Sequence, residues 1–372
     1  MREWLEREEA LATLRVRPQT LYAYVSRGMV ERRADPQDSR KSLYRGDDIL
    51  ALVRRRARGK RVASIAASTV AWGEPVITTT ISTVVHGRLI FRGQDAVLLS
   101  ETATLESVAA LLWELSEPPA FGSDASPGEP FEALARLVPD ARATVGRPHA
   151  KVCADSTRAV ATLVCSFGAI GTGPVHTRLA RHWKLDAVGE DLIRRALVLL
   201  ADHELNASTF AARVTASTGA SIAASLLAGL GALTGPRHGG AGAAVAALVG
   251  EAARTGAEAA VARWLASGQR LPGFGHPLYP HGDPRGAALL ARLPADPILT
   301  ELAEAATEAT GVAPNIDFAL AALARALGLP DDTSFRLFAI ARSTGWAAHA
   351  MEQAASGNLI RPRATYVGAV PE

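Results

Sequence analysis

From Leu105 onward the apolar residues recur at three- and four-residue spacing, the period of an amphipathic helix. A Pro/Gly/Ser-rich run, SEPPAFGSDASPGEP at residues 116–130, interrupts the repeat and reads as a surface loop. Between residues 77 and 99 the pattern changes. There β-branched residues alternate with others and Gly87 and Gly93 punctuate them, which predicts a small hairpin as the only strand signal in the chain. Two apolar runs, residues 159–175 and 220–235, are shorter than the roughly twenty residues a membrane span needs, so they are expected as helices buried against one another. The fold class expected is mostly α.

Residues 1–60 read as a separate module. EREEALATL is a short amphipathic helix, and RPQTLYAYVSRG carries Pro18 at a helix start, Leu21, Tyr24 and Val25 at helical spacing, and a stop at Gly28. A basic turn and extended stretch follow, then a third helix from near Asp47. Helix, tight turn, helix, basic wing, helix is a DNA-binding outline that also serves protein docking modules. Charge sharpens the picture. Residues 1–60 hold fifteen Lys and Arg against nine Asp and Glu, an excess of +6 that leaves −3 for the rest of a chain whose net charge is +3. Through LYAYVSRGMV and SRKSLYRGDDI the segment resembles the winged helix-turn-helix of MerR-type regulators. That resemblance implies that Arg17, Thr20, Tyr22 and Arg27 face a duplex and that Arg40, Lys41 and Arg45 form the wing.

At 372 residues, 48% hydrophobic and only 5% aromatic, the chain is large enough for two domains of closely packed helices. Cys153 and Cys165 are its only cysteines, too few for a disulfide framework or a thiolate zinc site. The opening MREWLEREEA has no apolar signal-peptide core, so a cytoplasmic location is expected.

Chemistry concentrates at breaks between helices. LPGFGHPLYPHGDPRG, residues 271–286, packs two histidines, four prolines and an arginine into sixteen residues after a helix-like run at 251–266. Fixed φ at the prolines and free φ at the glycines make this a rigid turn system that can aim side chains. LADHELNASTF places Asp202, His203 and Glu204 in an apolar helical context, GPRHGG places His238 just before an alanine-rich helix, and APNIDF places Asp317 at another helix start. Histidines and a carboxylate at helix N-termini suit acid–base work, because that end favours a neutral imidazole and a negative charge.

Taken in order, ADHELNASTF, GPRHGGA, GFGHPLYPHGDPR, PNID, ARSTGWAAHAMEQ and IRPRATYVG make the chain from about Ile77 to Gly368 similar to the citrate synthases. The resemblance implies a helical homodimer, with a large domain at about 70–215 and 325–372 and a small one at about 216–324. It also implies condensation of acetyl-CoA with oxaloacetate to citrate and CoA, with no metal and no cofactor beyond the thioester substrate. By the same resemblance Asp317 is the general base, His238 donates to the thioester oxygen, His276 polarises the oxaloacetate ketone and His203 contacts oxaloacetate. Arg285, Arg342 and Arg361 bind carboxylates, Arg361 reaching in from the partner subunit. His86, His149, His176, His182, His281 and His349 are left as structural or surface residues. Where the family carries a basic residue for CoA phosphates between GFGH and DPR, this chain reads PLYPHG. Two alternatives accompany this reading: a 2-methylcitrate synthase taking propionyl-CoA, and a DNA-binding regulator whose synthase-like body senses a metabolite.

Overall fold

The protein is described by a computed structural model that covers residues 4–14, 16, 18, 21, 24–25, 29–35, 38, 41–50, 77–122, 128–364 and 366–368. It divides into two compact units, Met1–Thr78 and Thr79–Glu372.

In the first unit, β1 (Trp4–Glu6) leads into α1 (Arg7–Leu14), followed by β2 (Arg32–Ala34) and β3 (Ser42–Arg45). The three strands form an antiparallel sheet in the order β1-β3-β2. Alternation was too short here to be legible, so the expectation of a single strand region at residues 77–99 is corrected by this second sheet. Leu5, Ala10, Leu14, Leu21, Val30, Tyr44 and Ile49 make its core. Lys41 stands in the β2–β3 connection, where its N–H donates to Asp38 and its carbonyl accepts from Asp35. Arg45 pairs with Glu31 at 2.8 Å. Arg17, Thr20, Tyr22, Arg27 and Arg40 lie outside the described residues.

The second unit opens with the predicted hairpin, extended to a three-stranded meander of β4 (Ser82–Val85), β5 (Arg88–Phe91) and β6 (Gln94–Asp95). Helices follow: α2 (Ala96–Thr102), α3 (Leu105–Trp113), α4 (Pro130–Leu137), α5 (His149–Ser166), α6 (Val175–Trp183), α7 (Ala187–Leu200), α8 (Ala207–Ser217) and α9 (Ile222–Leu233). Then come α10 (Ala241–Thr255), α11 (Ala257–Ala266), α12 (Pro284–Leu290), α13 (Pro297–Thr310), α14 (Ile316–Ala326) and α15 (Thr333–Ser356). The two apolar runs fall in α5 with the start of α6, and in α9. No described helix is long and apolar enough to cross a membrane. The run at 251–266 is two helices, because Gly256 adopts φ +88° between them.

Helix α15 is the axis of the unit. It is 24 residues long and buried on every side through its middle, with Arg342, Trp346 and His349 all essentially inaccessible. Helices α3, α5, α7, α8 and α9 pack around it. Close approach depends on small residues. A Cβ at Gly229 of α9 would lie 2.8 Å from the Trp346 ring, so the glycine lets the two helices touch. A second, smaller cluster joins Val245, Leu248, Val261, Leu302, Ala306 and Phe318 from α10, α11, α13 and α14. Helix α9 packs with the larger cluster.

Candidate active site

The loop at 271–283 is built as the Pro/Gly pattern demands. Gly273, Gly275 and Gly282 take φ of +82°, +69° and +112°, conformations in which a side chain is strained. This loop is stitched to the one before α14: Gly275 N–H donates to Ala313 O at 2.9 Å, Asn315 N–H to Gly273 O at 2.8 Å, and Asn315 Nδ2 to Gly275 O at 3.0 Å. The same Asn315 caps α14 by accepting from the N–H groups of Asp317 and Phe318. His276 and Asp317 are thereby held by one backbone seam.

Asp283 joins the two helix starts. It caps α12, grips Arg285 through Nε at 3.0 Å and Nη2 at 2.8 Å, and accepts from Ile316 N–H at 3.1 Å. Gly286 makes that junction possible, since a Cβ there would lie 2.7 Å from the backbone of Asn315. Burial opposes charge on both partners, yet their mutual attraction keeps the Asp283 carboxyl below its usual range and the Arg285 guanidinium above its own.

His203 is not in a helix. Helix α7 ends at Leu200, Glu204 turns the chain at φ +50°, and Asn206 caps α8, so the expected helical context is corrected to a break. Cap and turn together stop the helix that local composition favoured. From this break the His203 ring meets His276 edge-on at 5.0 Å between centroids, and its Nε2 hydrogen-bonds Tyr279 Oη at 2.9 Å. Tyr279 also lies under the Arg285 guanidinium, 5.3 Å from the ring centre.

His238 precedes α10, and its Nε2 is 2.8 Å from Ser208 Oγ. Trp346 Nε1–H can only donate, and it does so to Ser208 Oγ at 3.0 Å. The serine hydroxyl itself donates to Asn206 Oδ1 at 2.7 Å, an oxygen that also takes two backbone N–H groups. For His276 the backbone assigns the tautomer: Leu278 N–H donates to Nδ1 at 3.2 Å, leaving Nε2–H as the donor.

The electrostatics follow from burial. Desolvation pushes His238 down to about 4, helped by the positive field of Arg342, and pushes His276 to about 4 with help from Arg285. His203 falls well below its ordinary value for the same reasons, burial first and then Arg285 and Arg342. All three imidazoles are neutral near pH 7. Burial raises Asp317 to about 6 against the opposing pull of Arg285 and Arg342. Arg342 itself drops to about 10 on burial, with Asp202 as its main counter-charge. Its Nε donates to Leu200 O at 2.9 Å, and among the described residues its two Nη atoms have no hydrogen-bond partner.

The structure thus gathers His203, His238, His276, Asp317, Arg285 and Arg342 around two buried guanidiniums. Arg361 is exposed on the C-terminal segment of the single chain. Tyr279 and Asp283, absent from the sequence-based site, belong to it. The signal for both was their place inside PLYPHGDPR. Among the described residues no group of three or more His, Cys, Asp or Glu is placed to hold a metal ion.

A model of the citrate synthase C-terminal domain matches residues 171–363, more than half of the chain. Citrate synthase 2 of Bacillus subtilis is 31% identical over 351 residues, covering 80% of this chain and 94% of that protein. A 2-methylcitrate synthase of Mycobacterium tuberculosis is 36% identical over 188 residues, 47% of each chain. The crystal structure of citrate synthase from Thermotoga maritima superposes with a TM-score of 0.62 at 25% identity, over 81% of this chain and 95% of that one. Matched by the family model over more than half of its length and by a relative over 80% of it, the chain belongs to the citrate synthase family.

Proposed function

We propose that this enzyme of citrate synthase type condenses acetyl-CoA with oxaloacetate and water to citrate and free CoA. The observation that carries the reading is Asp317, a carboxylate raised to about 6 by burial and lying, like His238, in the field of Arg342. A thioester methyl is a weak acid. A carboxylate removes its proton only if the carbonyl oxygen is stabilised as the enol forms, so base and donor act as a pair.

In this reading Asp317 accepts the methyl proton while the neutral His238 ring donates to the thioester oxygen. The enol carbon then attacks the oxaloacetate ketone, whose oxygen receives a hydrogen bond from His276 Nε2–H. Water afterwards cleaves the citryl thioester, releasing CoA. The two unpartnered Nη atoms of Arg342 suit a bidentate carboxylate grip, whereas Arg285, with Nε and Nη2 committed to Asp283, offers Nη1. His203 contacts oxaloacetate, and Arg361 completes the partner's site in a homodimer. The N-terminal module, with its β2–β3 hairpin carrying Lys41, acts as a MerR-like DNA-binding wing.

The test is thiol release from acetyl-CoA or propionyl-CoA, each with oxaloacetate. Release faster with acetyl-CoA supports the proposal, and preference for propionyl-CoA supports 2-methylcitrate synthesis, favoured by the 36% identical relative. No release with either, while oxaloacetate binds, supports a sensing body.

A further inference from the structure

Behind His203 lies a closed ring of polar groups, buried at its centre, that the condensation chemistry does not use. Glu352 accepts from Thr80 N–H at 2.8 Å and Thr80 Oγ at 3.0 Å, and through its other oxygen from Arg213 Nη1 at 2.6 Å. Arg213 Nη1 also donates to His349 Nδ1 at 3.1 Å, and its Nε donates to Gln353 Oε1 at 3.0 Å. His349 Nε2 lies 3.2 Å from Asp202 Oδ2, and Ser82 Oγ donates to the same oxygen. The ring closes on the strand it left: Glu204 N–H donates to Ser82 Oγ at 3.0 Å, and Val84 N–H to Glu204 Oε1 at 2.6 Å.

The donor count orients the array. Arg213 can only donate, so His349 accepts at Nδ1 and donates at Nε2 to the Asp202 carboxylate. The sequence of groups is then carboxylate, guanidinium, imidazole acting as acceptor and donor, carboxylate, hydroxyl. Burial opposes charge on Asp202, but the hydrogen bonds from His349 and Ser82 and the field of Arg342 hold it below the ordinary carboxylate range.

Three observations separate this array from ordinary packing. Its central members are buried, with Asp202 and His349 at 0% exposure and Arg213 at 2%, in a core where well-packed apolar residues are often as stable or more so. It ends on Asp202 and Glu204, the two neighbours of His203. Glu204 is a non-glycine residue at φ +50°, a conformation that persists only where surrounding structure imposes it. On the far side α15 presses directly on the loop: a Cβ at Gly345 would lie 2.4 Å from Asp202 Oδ1 and 2.5 Å from Ala201 O.

We infer that Ser82 and His349 are positioning residues, which hold the strained turn around His203 from both sides through Asp202 and Glu204 and so set the affinity for the 2-oxo dicarboxylate. The inference rests on the proposed function. It deepens it by assigning control of oxaloacetate binding to groups on β4 and α15.

The experiment compares His349→Leu, His349→Gln and Ser82→Ala with the wild-type chain. It reads the oxaloacetate dissociation constant by calorimetry without CoA, KM for each substrate, kcat, and Tm. Glutamine can still accept from Arg213 and donate to Asp202, whereas leucine can do neither. The expected result is oxaloacetate binding weakened by about tenfold or more in His349→Leu and Ser82→Ala, the scale of a slightly misplaced contact. KM for acetyl-CoA should stay near wild type, and His349→Gln should recover most of the lost affinity. Equal impairment of the Gln and Leu variants, or unchanged oxaloacetate binding in Ser82→Ala, overturns the inference. If His349→Leu does not fold, the Gln and Ala variants decide alone. A wild-type chain that neither binds oxaloacetate nor releases CoA removes the proposed function first, and this inference with it.

Discussion

Replacing Asp317 by Asn should abolish turnover and stabilise the protein, and the two effects share one cause. Burial raises the carboxyl from the ordinary 3.8 to about 6, so at pH 7 the folded chain holds an anion that it would rather hold protonated. A shift of about two units corresponds to about 3 kcal/mol as an upper bound. The side chain is only partly buried, and Asn forgoes the favourable helix N-terminus worth about 0.3–1 kcal/mol, so a net gain of about 1–3 kcal/mol is expected. The sign of the pH dependence is set by proton counting. Between about pH 4 and 6 the folded state binds the proton more tightly than the unfolded state, so wild-type stability contributed by this group is complete below 3.8 and lost as pH rises through 6. The gap between variant and wild type should therefore be near zero at pH 4 and reach its plateau above about pH 6.5. Thermal unfolding across that range should show a Tm difference growing to roughly 1–6 °C, at roughly 1–2 °C per kcal/mol for a chain of this size. Turnover by thiol release at pH 7.5 should fall at least about a hundredfold, the usual scale for a general base. A variant less stable than wild type by the same amount at every pH means that Asp317 is an ion-pair partner of Arg285 and Arg342, ionised throughout. Near-normal turnover removes it from the mechanism.

The remaining expectations concern the same site and the flanking segments. Because Asp317 must be ionised to accept a proton, kcat/KM should rise with pH with a midpoint near 6, while His238 and His276, already neutral above about 4, add no further limb between pH 5 and 8; a flat profile contradicts the assignment. Arg361→Ala and Asp317→Asn homodimers should each be nearly inactive, yet remixed subunits should recover about a quarter of wild-type activity if Arg361 works across a closed twofold interface; no recovery, with exchange confirmed by mass spectrometry, places Arg361 in its own chain's site. The full-length chain should bind duplex DNA with affinity that falls steeply between low and physiological salt, owing to the +6 excess in residues 1–60; no binding at low salt favours a docking module.

What the sequence settled alone was local. Prolines and glycines dictate backbone angles one residue at a time, so the loop at 271–286 was legible as rigid, and Pro314 with Asn315 marked the helix start that carries Asp317. Ordered motifs identified the family for the same reason, since each is a short stretch whose residue types the chemistry restricts. His203 shows where local reading ends. Its surroundings are rich in alanine and leucine and favour helix, yet Glu204 is held at φ +50° by Ser82 and Val84, 122 and 120 residues earlier in the chain. The second sheet was missed because strands of three and four residues carry too little alternation to distinguish from loop. Tyr279, Asp283, Arg213 and His349 were visible as residues but not as partners. Hydrogen-bond partners and burial are properties of distant segments brought together. Only the tertiary structure therefore decided that Asp317 is raised while Asp202 and Asp283, carboxylates of the same type, are lowered. Each is desolvated by the fold, and the difference lies in whether hydrogen-bond donors meet the charge.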